Sequence, residues 1–249
     1  MRFIRLNHVQ LNNITHKDLK IITERSADFG DQIGSTLTFP TEFAQVQACY
    51  PILFRKDSST GEFQSVVLFG FEEKENLFLS DDGWDADYIP VAVNREPFLI
   101  GFQNQVVDGV NKQNPVIHID MDNPRVNDKH GEAVFMEHGG NSKYLDHVCK
   151  MMEALYVGLE QSKNMFRVFQ DLDLIEPMSI EVTLNDNSSH KLSGYYTLNE
   201  EKLASLNGEN LELLHKQSLL FPAFMVVAST TKIGALVNRK NALVAGSVV

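Results

Sequence analysis

Four aspartates fall within seven residues in the stretch LFLSDDGWDADYIP, at Asp81, Asp82, Asp85 and Asp87, around Trp84, the only tryptophan of the chain. Carboxylates at this density suggest three chemistries: a divalent cation site, acid–base catalysis, or an anionic docking surface. The EF-hand loop needs oxygen ligands at its first, third, fifth and twelfth positions, with glycine at the sixth. With Gly83 in the glycine position, Phe78 falls first and Ile89 twelfth, so the template fails and only an irregular site is left. Glycoside hydrolysis needs two carboxyls held apart across a sugar ring, and neighbouring aspartates in one loop do not point to that. Docking has more in its favour. Trp84 and Tyr88 lie within the acidic cluster, and Asn94 and Arg95 follow it. Aromatic anchors with a charged surround are the composition of an interface hot spot, and Arg95 is able to clamp a carboxylate in bidentate fashion. The plain alternative is an acidic turn in which Trp84 and Tyr88 plug the end of a β-layer and Arg95 neutralises an aspartate. The order of expectation is therefore acidic turn, docking surface, metal, catalysis, with Asp81, Asp82, Trp84, Asp85, Asp87, Tyr88, Asn94 and Arg95 as the candidate binding residues.

A second candidate is VIHIDMD. On a strand, alternation puts His118 and Asp120 on one face and Ile117, Ile119 and Met121 on the other. A His-x-Asp pair is what a two-histidine, one-carboxylate iron(II) oxygenase draws from a strand. The remote histidine is poorly supplied. His190 falls in a hairpin and His215 on a helix, each followed at once by a lysine. A polar outer strand face is the simpler expectation. No Gly-x-Ser-x-Gly elbow, Gly-x-Gly-x-x-Gly loop or Walker motif occurs. No cofactor is expected, and catalysis is not the favoured reading.

The elements that must position these residues change character along the chain. Short apolar runs broken by Gly, Pro, Asn and Asp fill the first half: ACYPILFRKD, FQSVVLFGF, NLFLSDD, PFLIGFQN and NPVIHIDMDN. No helix of useful length fits between them apart from a turn at PTEFAQVQ, which favours an antiparallel or mixed sheet. After Gly139-Gly140, with Ser142 as N-cap, Leu145, Val148, Met152, Leu155 and Leu159 step by three and four, and Phe166 and Phe169 extend the stripe. That spacing predicts one or two amphipathic helices ending before Pro177. MSIEVTLNDNSSHKLSGYYTL then reads as a hairpin turning at Asn185–Ser189, Thr197–Glu200 as a capping box, and the remainder as short helices. The expected class is α+β: a mixed or antiparallel β-rich half, 1–140, packed with a helix-plus-hairpin half, 141–249, as one compact unit.

Composition bounds the partners. At 43% hydrophobic and 22% charged residues the chain can bury a core. A net charge of −11 speaks against nucleic acid, whose binding requires cationic surface. Seven acids against the single Lys74 crowd Phe71–Asp87, a stretch suited to attract a cation or a basic partner. A protein or peptide partner fits this better than a membrane. The most apolar run, LLFPAFMVVA, is short of the ~20 residues a spanning helix needs, and the N-terminus has no apolar signal core. A cytoplasmic location is expected, although signal-independent export would leave no mark here. Cys49 and Cys149 match neither a zinc nor a disulfide pattern and read as free thiols.

Several long strings are similar to the bacterial SapC family: ERSADFG, FPTEFAQVQACYPILFRKD, VLFGFEEKENLFL, DDGWDADYIPVAVNREPFLIGFQ and IDMDNPRV, then GEAVF, EVTLNDNSSHKLSGYYTLNEEKLASL and NRKN. The resemblance covers nearly the whole chain. It implies an association, through the family name, with bacterial surface layers, and carries over no catalytic or metal-binding residues. The expectation drawn from all of this is a non-catalytic accessory or binding protein; an iron(II) oxygenase and a surface-layer structural protein are the alternatives.

Overall fold

The structure, a computed structural model, describes residues 7–107 and 110–246, with side chains for all of these outside 105–107 and 110–113. The first six residues of the region read for a signal, and the last three of the C-terminal half, lie outside the described residues.

Along the chain come β1 (His8–Gln10), β2 (Lys20–Ile21), β3 (Ser35–Leu37), α1 (Phe43–Cys49), β4 (Ile52–Lys56) and β5 (Phe63–Leu68). Next are β6 (Leu79–Ser80), β7 (Gly83–Trp84), α2 (Val91–Asn94), β8 (Phe98–Val107), β9 (Val110–Asp120), β10 (Val126–Asn127) and β11 (Glu132–Ala133). The rest is α3 (Lys143–Asp171), β12 (Ile175–Thr183), β13 (Ser189–Leu198), α4 (Glu200–Ala204), α5 (Gly208–Lys216), α6 (Leu220–Ser229) and α7 (Lys232–Gly246). The class is α+β, with antiparallel pairing throughout.

The largest sheet has the order β12-β13-β4-β5-β3. Its strands come from both halves of the sequence: the C-terminal hairpin joins through Tyr195 and Tyr196, opposite Arg55 and Phe54. A second sheet, β1-β9-β8, is a long β8–β9 hairpin with β1 on its flank. The expected strand at NLFLSDD reduces to the two residues of β6, because the apolar Leu77 and Phe78 are buried as plugs within a turn rather than along a ladder.

α3 is the spine. The expected helix is a single one of 29 residues, capped by Ser142 Oγ, which accepts from the Leu145 N–H at 3.1 Å. Its two halves serve two cores. Leu145, Val148, Met151 and Met152 pack with Ile21, Phe98, Ile119 and Val134 beside the β8–β9 sheet. Met165, Phe166, Val168 and Phe169 pack on the main sheet with Phe54, Val66 and Val67, Phe166 edge-on to Phe54 at 5.0 Å. Between the halves, Gly158 passes so close to the β3–α1 connection that a Cβ there would stand 2.6 Å from that of Phe39.

Three local expectations need correction. PTEFAQVQ forms α1, whose Phe43 and Val46 are fully buried. Asn199, and not Thr197, caps α4, accepting from the Lys202 N–H at 2.8 Å; Thr197 is still a ladder residue of β13, opposite Glu176. The closing apolar segment breaks into α6 and α7, and Leu220–Gly246 as a whole is, by length and composition, apolar enough to cross a membrane, with an 18-residue window of mean hydropathy 1.6. The ten-residue run weighed in the sequence is therefore part of a longer one. One side of it is packed on the protein: Ala223 and Val226 are buried, and the buried Ser229 Oγ accepts from the Ile52 N–H of β4 at 2.9 Å.

Candidate functional site

The acidic stretch is a turn built on aromatic residues. β6 and β7 make a two-residue ladder, Leu79 opposite Trp84, and Gly83 takes the positive φ of 104° that closes it. Trp84 is half-buried. Its Nε1–H donates to Tyr50 Oη at 2.7 Å, and its ring stands edge-on to Phe69 at 5.0 Å. Tyr50 Oη donates in turn to the Tyr88 carbonyl at 2.6 Å. Tyr88 Oη donates to Glu42 Oε2 at 2.8 Å, where the Val91 N–H also arrives, at 2.9 Å. Thr38 Oγ1 donates to the other oxygen of Glu42 at 2.9 Å. Glu42 is 3% exposed, and burial pushes its pKa up, opposed by these hydrogen bonds. Burial likewise raises the Tyr50 and Tyr88 phenols well above their ordinary range. The chain Trp84–Tyr50–Tyr88–Glu42 thus fixes the turn to the core.

The cation that answers the aspartates is Arg239 of α7, not Arg95. Arg239 pairs with Asp85 at 2.7 Å and lies over the Phe78 ring at 4.3 Å. Lys240 beside it pairs with Glu75, and with Glu72 at 3.8 Å. Part of the basic partner that the acidic stretch invites is therefore the chain's own C-terminal helix. Asp81, Asp82 and Asp87 are exposed. Arg95 points elsewhere, donating to the Phe98 carbonyl and standing 3.3 Å from Glu96. Asn94 is drawn inward, its Oδ1 accepting from Arg25 at 2.5 Å.

That contact leads to a buried charge cluster that no sequence motif marks. Asp31, 3% exposed, holds Arg125 at 2.6 Å and Arg25 at 3.2 Å. Arg125, 1% exposed, also donates to the carbonyls of Ile22 at 3.0 Å and Glu24 at 2.7 Å. Asn76 ties the Asp31 carbonyl from a further loop at 2.8 Å. Desolvation lowers the Arg25 pKa and raises that of Tyr144, to about 12. The cluster binds the segment at 22–31 to the β9–β10 connection and to α2. Its only signal in the sequence is that ERSADFG, NREP and IDMDNPRV are unusual strings which meet here.

His118 and Asp120 share a face of β9, and the register sets His8 of β1 opposite Asp120. Gly101 makes room for the His118 ring, since a Cβ there would be 2.3 Å from it. Among the described residues no group of three or more His, Cys, Asp or Glu gathers closely enough to hold a metal ion. His190 lies against Phe71 on β13 at 5.7 Å, and His215 is exposed on α5. The His118–Asp120 pair has no third ligand from either.

The concave surface runs along α3. A cavity of about 420 Å³ lies between α3 and β8, lined by Arg95, Leu99, Ile100, Phe102, Met152, Leu155 and Tyr156. A second, of about 540 Å³, lies between α3 and the β3–β5 edge, lined by Phe63, Gln64, Ser65, Ser162, Arg167 and Gln170. Both are bounded by Leu37, Phe39, Leu159 and Lys163, so they adjoin across these residues as two lobes of a trough along α3, one apolar and the other more polar. Ser65 Oγ, buried at the polar end, has no hydrogen-bond partner. A separate hollow of about 570 Å³ near Pro177 and Glu200 is lined in part by Thr197, whose buried hydroxyl is also unpartnered.

Fold and surface together define an α+β protein with an extended trough beside its central helix. The SapC family model matches residues 11–236, and the chain belongs to that family. No curated protein and no solved structure matches it.

Proposed function

We propose that the protein is a non-catalytic accessory or binding protein that holds a ligand or a segment of a protein partner in the trough along α3. The observation that carries this is the pair of adjoining hollows along one helix. Its two lobes share Leu37, Phe39, Leu159 and Lys163 as walls, which sets an apolar pocket beside a more polar one. Concave sites with apolar walls and a few placed polar groups are where ligands bind. Of the residues expected to bind, Arg95 belongs to this surface. It is mostly shielded, with a side chain 21% exposed. The aromatic residues Trp84 and Tyr88 support the trough indirectly, since the Glu42 that anchors Tyr88 also holds Thr38 in its wall.

The test uses charge in the trough. Tyr156 and Leu159 are 38% and 39% exposed on α3, so glutamate is tolerated there without opening the core. The full chain is recovered from bacterial cells under native conditions, and bound species are identified by native mass spectrometry. Wild-type protein is expected to carry a ligand or partner that Tyr156→Glu with Leu159→Glu removes. If that pair changes nothing while Asp81→Lys with Asp82→Lys strips the bound species, binding belongs to the acidic turn and the trough reading fails.

A further inference from the structure

The geometry points to a strand-addition site at the polar end of the trough: an extended peptide segment of a partner protein pairs with the open edge of β5 at Phe63, just beyond the Thr38–Ser65 bond and in line with β3. This rests on the binding reading above and names its class of ligand.

β5 has two edges of unequal cover. On one side β4 runs the length of Phe63–Val67. On the other, β3 pairs only with Val66–Leu68. One further bond, from the Thr38 N–H to the Ser65 carbonyl at 3.0 Å, ends that ladder before the chain leaves for α1. Among the described residues no strand takes up the course that β3 abandons. The direction of the next groups follows from the pleat. In an antiparallel strand the N–H and C=O of one residue point to the same side, and alternate residues agree. The Ser65 carbonyl faces the β3 side, so the N–H and C=O of Phe63 face it too. The Glu62 carbonyl confirms the phase, because it accepts from the Asp57 N–H on the β4 side at 2.8 Å. Phe63 therefore presents a donor and an acceptor to the trough, whose wall it forms.

A side-chain observation agrees. Ser65 is 2% exposed, lines the same lobe and has an unpartnered hydroxyl. Buried polar atoms without partners are uncommon and call for an explanation. The oxygen itself is closed off from solvent, so it marks a polar spot beneath the edge and not a direct contact for the peptide. α3 roofs the lobe with Ser162, Gln170 and Arg167, enough polar groups to meet the outward side chains of a short strand. The adjoining apolar lobe, with Phe102 and Tyr156 at its rim, takes one large apolar side chain at the end of the segment. Each paired residue advances about 3.3 Å, so the open edge accepts a strand of two or three residues followed by that anchor. Main-chain pairing with pockets for alternate side chains is the general form of strand addition.

The probe is a display library of random heptapeptides panned on the full chain, with winning sequences then made synthetically. Expected are binders whose addition slows hydrogen exchange at the Phe63 amide, and which lose about tenfold in affinity when one pairing amide is N-methylated. Binders that compete at the trough, yet ignore N-methylation and leave the Phe63 amide unprotected, overturn strand addition and leave the trough reading standing. A library that returns no binder also overturns it, and the native mass spectrometry comparison then decides the broader reading alone. Loss of the wild-type species in that comparison, with peptides failing here, assigns the trough to a ligand other than peptide.

Discussion

Trp84 spends its indole N–H on Tyr50 and its ring on Phe69, so its main debt is to the core, although part of the ring meets solvent. Replacing it by alanine removes a hydrogen bond and opens a gap beside Phe69. The expected loss is about 3 kcal/mol, near the lower end for a buried aromatic residue because the site is only half-buried. As the sole tryptophan, it reports on itself: emission is expected blue of free indole, with weak quenching by iodide. A fully red, freely quenched emission with an unchanged melting temperature in Trp84→Ala would show that the residue faces outward for a partner. Glu42 carries the second residue-scale prediction. Burial raises its carboxyl above the ordinary 4.5, so the folded state holds that proton more tightly than the unfolded chain does. Its contribution therefore favours folding at low pH and is lost as pH rises through the interval above 4.5. Glu42→Gln removes the titration while keeping an acceptor for Tyr88. Its melting temperature should gain on wild type from about pH 4 to about pH 7, across the range of raised carboxyls. A pH-independent offset would contradict the assignment.

At the scale of elements, α7 is held by a small number of charges. Arg239 joins Asp85 and the face of Phe78, and Lys240 joins Glu75, in a part of the chain where the last acid is Glu212. The partly exposed Arg239–Asp85 pair contributes about 0–1 kcal/mol and the cation over the aromatic face about 0.5–1 kcal/mol, while the Lys240–Glu75 pair is largely shielded from solvent. Reversing one charge does more than deleting it, because Glu at position 239 would face Asp85. Arg239→Glu is expected to release α7 locally, seen as faster amide exchange over Lys232–Gly246 with little change in the β4–β5 core. Equal exchange rates in the variant would mean that apolar contacts at Leu236 hold the helix without the Arg239–Asp85 pair. The central helix is secured differently. α3 touches two separate cores, and Gly158 lets it press against Phe39 at the crossing. The two lobes of the trough border this crossing, since Phe39 lines both.

For the molecule as a whole, the proposed binding role is tested by its metal content. The His118–Asp120 pair faces one side of its sheet, but no third ligand joins it among the described residues. Elemental analysis of purified protein is expected to find no stoichiometric transition metal. Iron near one equivalent per chain, lost in His118→Ala, would restore the oxygenase reading.

What the sequence by itself determined is whatever repeats locally. The three-four stripe from Leu145 and the Ser142 cap specified α3, the string MSIEVTL with its polar turn at Asn185–Ser189 specified the hairpin, and the long shared strings specified the family. Each rests on neighbours a few residues apart, whose periods physics fixes at 3.6 or 2. The tertiary structure alone decided which charges meet. Asp31 finds Arg125 across 94 residues and Asp85 finds Arg239 across 154, whereas Arg95, the nearest cation after the aspartates, turns to Glu96. It also decided the trough, since a cavity is the space left between α3 and two sheets. No local pattern encodes that space, because it depends on where every packed side chain around it comes to rest.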